Sequence, residues 1–114
     1  MNIHQPIMIS VSFPDEESAQ ETAKQLIEKK LIACAQLTKI HSMYRWQNQL
    51  ESSQEISMQA KSIQSNFKLV QECVRQAHPY EVPEIIATPI LEIDQQYLKW
   101  MLEELGLSGQ QRYV

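Results

Sequence analysis

The segment His78–Glu84 reads HPYEVPE, and its two prolines decide how the second half of the chain is arranged. Each proline fixes its own φ at about −65° and keeps the preceding residue out of the helical region. The sequence therefore predicts that a helix ends at about Ala77 and that the chain then runs extended. The apolar run Ile85–Ala87 follows directly and predicts a buried strand.

This proline segment, residues 78–84, is also the best candidate for a functional surface. A stiff link between a helix and a core strand holds its polar side chains in fixed directions. Those side chains are His78, Tyr80, Glu81 and Glu84. The alternative is that the prolines serve only to make the connection.

Length and charge narrow the class of protein. A chain of 114 residues indicates a single domain, 1–114. Ten Lys and Arg against fourteen Asp and Glu give a formal charge of −4, which disfavours nucleic acid as a partner because phosphate backbones bind basic surfaces. No apolar run is long enough to cross a bilayer, and no signal-peptide pattern is present. We therefore expect a cytoplasmic protein with no membrane partner, in which Cys34 and Cys73 are reduced thiols that pack as small apolar residues.

The first thirty residues predict a strand followed by a helix. Apolar residues alternate along Ile7–Phe13, which is typical of a strand with one buried face. Pro14 suits the first position of a helix, and acidic residues follow it at the positive end of the helix dipole. The predicted apolar stripe of this helix consists of Ala19, Ala23, Leu26 and Ile27.

A long hairpin is predicted next. Residues 31–46 are rich in strand formers, and apolar residues alternate with polar ones along residues 55–61. Between them, Asn48 tolerates a positive φ, which favours a hairpin turn. Arms of this length exceed what one face of a small domain needs, and the exposed edges favour pairing with another chain. We therefore expect an oligomer.

The remaining pattern completes the fold. A second helix is marked by Phe67, Val70, Val74 and Ala77. The following strand, Ile85–Ile93, contains Pro89 and so belongs at a sheet edge. Asp94 suits the N-cap of a last helix and Gly106 its end. The order βαββαβ plus a C-terminal helix predicts an α+β sandwich of the ferredoxin-like type, with helices on one face of an antiparallel sheet.

Several motifs together resemble the CutA divalent-cation-tolerance proteins, in the family's order and from about Ile7 to Leu105. They are Lys30–Ala35, Ser42–Trp46, Lys61-Ser62, His78–Glu84 and Tyr97–Trp100. The resemblance implies a ferredoxin-like subunit assembled as a tight homotrimer, with long β2–β3 hairpins joining sheets across subunits. It also implies a link to copper and other divalent metals. A similar trimer occurs in PII-type signalling proteins, which bind small effectors between subunits.

Two departures from the family pattern bear on structure and metal binding. The segment Leu37–His41 lacks the usual Pro-Gly pair, so we expect its bend to be made by a bulge. Some members carry a cysteine and a second histidine associated with copper, where this chain has Val11 and Ala77. His78 remains as the metal candidate, with Glu81 and Glu84 as further ligands. Alternatively, the His78 side chain stabilises the C-terminal end of the second helix through its positive charge or through a hydrogen bond.

The candidate ligand cleft is expected between subunits. Its predicted lining is Tyr44, Lys61, His78, Tyr80, Glu81 and Glu84. Lys61, the lysine of the family, is expected to pair there with Glu81 or Glu84. Tyr44 and Trp46 are expected to pack at the trimer interface, because aromatic side chains supply large burial at interfaces.

Two functions follow from these observations. The first is divalent-cation tolerance by a cytoplasmic homotrimer that binds Cu(II) or another divalent cation weakly. The second is a PII-like small-molecule sensor or scaffold with a ligand in the intersubunit cleft. No catalytic motif is present, so we expect no enzyme activity; a hydrolase or isomerase using the carboxylates is the weaker third option.

Overall fold

Four antiparallel strands in the order β2-β3-β1-β4 form one sheet in the computed structural model, which describes residues 4–107. The elements are β1 Pro6–Phe13, α1 Glu16–Glu28, β2 Cys34–Trp46, β3 Gln49–Ile63, α2 Phe67–Ala77, β4 Ile85–Pro89 and α3 Gln95–Glu104. This is the predicted ferredoxin-like βαββαβ order with a C-terminal helix. None of the helices within the described range is both long and apolar enough to cross a membrane.

The alternating apolar residues of β1 lie at the centre of the main core, as predicted. Ile9 and Phe13 are fully buried, Val11 and Ile7 nearly so, and α1 and α2 pack against this side of the sheet. A second cluster forms where α3 covers residues beside the start of β2 and the end of β3. Its buried members are Ala33, Ile63, Leu98, Met101, Leu102 and Leu105.

The first helix differs from its prediction in two places. Asp15 is the N-cap, with its carboxylate 2.8 Å from the Ser18 backbone N–H, so Pro14 precedes the helix and does not open it. Ile27 is 45% exposed, so its place in the predicted stripe is wrong. Thr22 is buried instead, because it lies one turn before Leu26 on the face that meets the sheet.

The hairpin is continuous and longer than the rest of the sheet. β2 and β3 pair from Cys34 with Lys61 to Trp46 with Gln49. The register runs through Leu37–His41 without interruption, so the expected bulge is wrong. At the turn, Gln47 and Asn48 have φ of 49° and 66°, the two positive values that a type I′ turn requires.

Part of the hairpin projects as a two-stranded ribbon. β1 pairs with β3 only along residues 56–63, so residues 40–46 and 49–55 have no third strand beside them in the part of the chain that the structure describes. At about 3.4 Å per residue this ribbon extends the sheet by roughly 20 Å. The described chain accordingly measures 49 × 25 × 22 Å.

The fourth strand is an edge strand, as Pro89 predicted, but it is shorter and less buried than expected. Of the described strands only β1 pairs with β4, which ends at Pro89 and not at Ile93. Ile86 is 51% exposed, because only Ile85 of the run Ile85–Ala87 packs against the core. The prediction of a buried strand is therefore wrong for the single chain.

Candidate functional site

A cavity of about 680 Å³ lies between the ribbon and the proline segment. The ribbon contributes two aromatic rings and two carboxylates, and the proline segment contributes one ring and two carboxylates. These residues are Tyr44, Trp46, Glu51, Glu55, Tyr80, Glu81 and Glu84. Four of the six predicted cleft residues, namely Tyr44, Tyr80, Glu81 and Glu84, thus line one cavity within a single chain.

Strand geometry explains why the ribbon side of the cavity combines rings and carboxylates. Tyr44 pairs directly with Glu51, and directly paired residues of antiparallel strands have their side chains on the same face. Glu55 lies four positions beyond Glu51 and, by the period of two, on that face as well. Glu51 and Glu55 were not among the predicted site residues; the polar alternation along β3 was the only sequence signal for them.

His78 lies behind the cavity and does not line it. Its ring is 8% exposed and stacks on Phe13 with centroids 4.6 Å apart. Nε2 lies 2.6 Å from the carbonyl oxygen of Ser12, and Nδ1 accepts the backbone N–H of Tyr80 at 3.0 Å. Because Nδ1 accepts, Nε2 carries the proton and donates to the carbonyl.

These contacts give His78 a positioning role. The histidine joins the end of α2 to the end of β1 and fixes the backbone at Tyr80. It thus hydrogen-bonds at the end of the second helix, which was the alternative to a metal-binding role. A metal ion bound at either nitrogen would have to displace one of the two hydrogen bonds. His78 is therefore absent from the lining of the cavity within the single chain, and its lining of a cleft between subunits stays a prediction.

Tyr80 links the two walls of the cavity. Its hydroxyl donates to Oε2 of Glu55 at 2.6 Å, and Glu55 is only 6% exposed. Burial raises the pKa of the Tyr80 hydroxyl well above its usual range, and the hydrogen bond to the Glu55 carboxylate raises this pKa further. The phenol therefore stays protonated and holds the carboxylate in place.

The raised pKa of Tyr80 predicts a loss of stability in alkali. Tyrosine in the unfolded chain ionises near pH 10. Because the folded-state pKa is higher, the stabilisation is fully present below about pH 10 and is lost as pH rises through the folded pKa. Thermal unfolding between about pH 8 and pH 11 should show a steeper loss of Tm for wild type than for Tyr80→Phe. Equal pH slopes for the two proteins would contradict the assignment.

Lys61 does not line the cavity of the single chain. Its pairing with Glu81 or Glu84 in a cleft between subunits stays a prediction. Its ammonium donates to Oε1 of Gln36 at 2.6 Å. The hairpin register places Lys61 opposite Cys34, roughly 20 Å along β3 from Glu55. The described lining of the cavity consequently contains four glutamates and no lysine or arginine.

The cysteines lie elsewhere. Cys73 is buried, as predicted. Cys34 is only partly buried, with Sγ 3.4 Å from the hydroxyl of Tyr97, so its prediction as a core residue is wrong. Burial and this contact raise the pKa of Tyr97 to about 12.

Within residues 4–107, no three or more His, Cys, Asp and Glu side chains are arranged to hold a metal ion.

Comparison with known proteins gives one consistent result. The family model of the CutA1 divalent ion tolerance protein matches residues 7–104. The probable divalent-cation tolerance protein cutA homolog of Encephalitozoon cuniculi is 38% identical over 105 residues, which is 92% of each chain.

Solved structures agree with the sequence comparison. The divalent cation tolerance protein of Thermus thermophilus superposes with a TM-score of 0.83 at 37% identity, over 87% of this chain and 97% of that one. The periplasmic divalent cation tolerance protein CutA of Archaeoglobus fulgidus gives a TM-score of 0.86 at 33% identity, over 88% and 98% of the two chains.

Proposed function

The chain belongs to the CutA1 divalent ion tolerance family, and we propose that it acts in divalent-cation tolerance by binding these cations weakly at the carboxylates of its cavity. The observation that carries the proposal is the charge of the cavity lining, four glutamates with no lysine or arginine among the described residues. A cleft that is lined by carboxylates without nearby positive charges raises the local concentration of cations.

The ligand set fits weak and exchangeable binding. Carboxylate oxygens bind divalent cations, but a tight site needs three or four ligands that converge. The described part of the chain offers no such group of three. A cation would therefore keep part of its water shell and bind through Glu81 and Glu84, or Glu51 and Glu55. Among first-row divalent metals, Cu(II) binds such ligands most strongly, which supports copper as one of the cations.

Titration of Cu(II) by calorimetry tests this proposal. The double variant Glu81→Gln/Glu84→Gln should weaken binding at least tenfold, since it removes two of the four carboxylates. The matched control Glu103→Gln/Glu104→Gln makes the same change of charge at the exposed end of α3 and should bind like wild type. His78→Gln should also keep the binding heat. If His78→Gln lost the binding heat and the Glu81→Gln/Glu84→Gln variant retained it, the metal would bind at the histidine. That result would refute metal binding by the cavity carboxylates.

The proposal includes a homotrimer. Among residues 4–107 the ribbon has no third strand, and β2 and β4 each leave one edge unpaired. Both Trp46 and Ile86 are at least two-fifths exposed. Exposed edges and apolar side chains together favour association with further copies. Tyr44 and Trp46 on the ribbon are the proposed interface aromatics.

We further propose a cytoplasmic binding protein without a catalytic step. Cys34 and Cys73 are both free thiols, which supports a reducing compartment. The polar side chains of the cavity are carboxylates and hydroxyls, and the Tyr80 hydroxyl is held by the Glu55 carboxylate, which supports binding more than nucleophilic chemistry.

A second candidate function is a PII-like sensor of a small molecule. The specific observation in its favour is the size of the cavity. A volume of about 680 Å³ lies within the range typical of ligand pockets, whereas a metal ion occupies only a small part of it.

A further inference from the structure

We propose that Lys29 and Cys73 are the site of a reversible oxidative crosslink between α1 and α2, in which hydrogen peroxide oxidises the thiol and the lysine amine then bonds to the sulfur. Neither residue lines the cavity or belongs to the ribbon or to a strand edge. The inference goes beyond cation tolerance and depends neither on cation binding nor on the proposed trimer.

The thiol of Cys73 lies between two polar side chains of α1. Lys29, the C-cap residue of this helix, donates from Nζ to the sulfur at 3.8 Å. The thiol in turn donates to Oε1 of Gln25 at 3.8 Å. Gln25 and Lys29 are four positions apart and therefore lie on the same side of the helix. The packing of α1 on α2 thus brings an amine and a thiol into contact.

Contact with an amine distinguishes Cys73 from the other cysteine. The sulfur of Cys34 lies 3.4 Å from the hydroxyl of Tyr97. Lys61 is opposite Cys34 in the hairpin register, but its ammonium donates to Gln36. Within residues 4–107, Cys73 is therefore the cysteine whose sulfur is hydrogen-bonded to an amine.

The pair combines a shielded sulfur with an exposed amine. Cys73 is 7% exposed, whereas Lys29 is on the surface and its side chain is free to move towards the sulfur. Hydrogen peroxide is a molecule of two oxygen atoms and needs far less room than the cysteine of another protein. Shielding therefore disfavours disulfide exchange between proteins and leaves the neighbouring amine as the reaction partner of an oxidised Cys73.

The first step oxidises the sulfur. The Cys73 thiolate attacks one oxygen of hydrogen peroxide, so that an S–O bond forms and the O–O bond breaks. The second oxygen leaves as hydroxide and becomes water with the proton that the thiol released. The sulfur loses two electrons and becomes a sulfenic acid, and the peroxide is reduced.

The second step joins the two side chains. The neutral amine of Lys29 attacks the sulfur, an S–N bond forms and the S–O bond breaks. The hydroxide takes one proton from the nitrogen and leaves as water. Sulfenic acids condense with nitrogen in this way to give sulfenamides. Over both steps the chain loses two hydrogen atoms, and one peroxide becomes two waters.

The crosslink would enclose the whole β2–β3 hairpin, because both strands lie between residues 29 and 73. Closing a long loop restricts the unfolded chain and so stabilises the folded one. We expect the crosslinked protein to unfold at a Tm about 5 °C or more above that of the reduced protein.

Mass spectrometry of the full chain tests the proposal in the variant Cys34→Ser. This variant retains Cys73 as its one thiol, so a disulfide within the chain is impossible. Hydrogen peroxide is added at about pH 9, which favours both the thiolate and the neutral amine. We expect a product that has lost two hydrogen atoms, a proteolytic peptide crosslinked between residues 29 and 73, and recovery of the starting mass with dithiothreitol.

Two lysine variants in the Cys34→Ser background separate the crosslink from simple oxidation. Lys29→Arg keeps the positive charge but removes the nucleophilic amine, so the crosslink should be lost and dimedone should trap the sulfenic acid at Cys73. Lys30→Arg makes the same change at the next position, also exposed, and should crosslink fully. Undiminished crosslinking in Lys29→Arg would overturn the proposal. So would a Cys73 that, with Lys29 present, only gains oxygen or does not react.

Discussion

Trp46→Glu is expected to lower the mass measured by light scattering from three chains to one. Trp46 lies beside the two-residue turn of the ribbon, where none of the other described strands pairs with it beyond β3. If the ring is buried against a neighbouring subunit, a carboxylate at this position must be desolvated without a partner, which costs several kcal/mol. Because the proposed homotrimer contains this interface three times, the substitution should dissociate it at micromolar concentration.

Two controls make this result specific to Trp46. Gln20→Glu adds the same charge on the exposed side of α1 and should remain trimeric. Trp46→Phe keeps an aromatic ring at the position and should also remain trimeric. A variant Trp46→Glu with the same mass as wild type would show that Trp46 is not an interface residue.

Phe13→Ala is expected to lower the free energy of unfolding by about 3–5 kcal/mol. Phe13 is fully buried at the end of β1 and stacks on His78. Truncation removes a large apolar surface and leaves a cavity that neighbouring side chains fill only in part. The loss is a large fraction of the roughly 5–15 kcal/mol by which a domain is stable.

Denaturant unfolding at one fixed protein concentration measures this effect, since association contributes to apparent stability. Leu69→Ala is the matched control, because Leu69 on α2 is 52% exposed and its truncation opens no cavity. Its cost should stay within about 0.5 kcal/mol, as for other surface positions. Similar costs for the two variants would contradict the placement of Phe13 in the core.

Most of the fold could be predicted from residue types and their spacing over short stretches of the sequence. Alternation marked β1, Asn48 marked the turn, and Asp94 caps α3 by accepting the Tyr97 backbone N–H at 3.0 Å. Each of these features depends on neighbours within a few positions. Ile27 was misplaced because a stripe of four apolar residues fixes the face of a short helix only to within about one position.

The site was less predictable, because its contacts join distant parts of the chain. His78 bonds to Ser12, and Tyr80 to Glu55. Sequence spacing carries no information on such pairs. The distance between Lys61 and Glu55 could not be predicted for the same reason, since only the register of the hairpin shows how far along β3 they lie from each other.

Burial of β4 could not be predicted from one chain. The run Ile85–Ala87 is apolar, as a buried strand should be, yet Ile86 is exposed in the isolated protomer. An apolar run can be buried by its own chain or by a second copy, and the sequence alone does not distinguish the two.

The unlike free edges of β2 and β4 have a consequence for solubility. An interface that joins the β2 edge of one copy to the β4 edge of another is heterologous, so each added copy leaves a free edge to which the next copy can bind. Only the rotation between successive copies separates a closed ring from an open-ended fibre. In an assembly built through these two edges, substitutions that alter the twist of the ribbon are therefore expected to convert a closed ring into a filament.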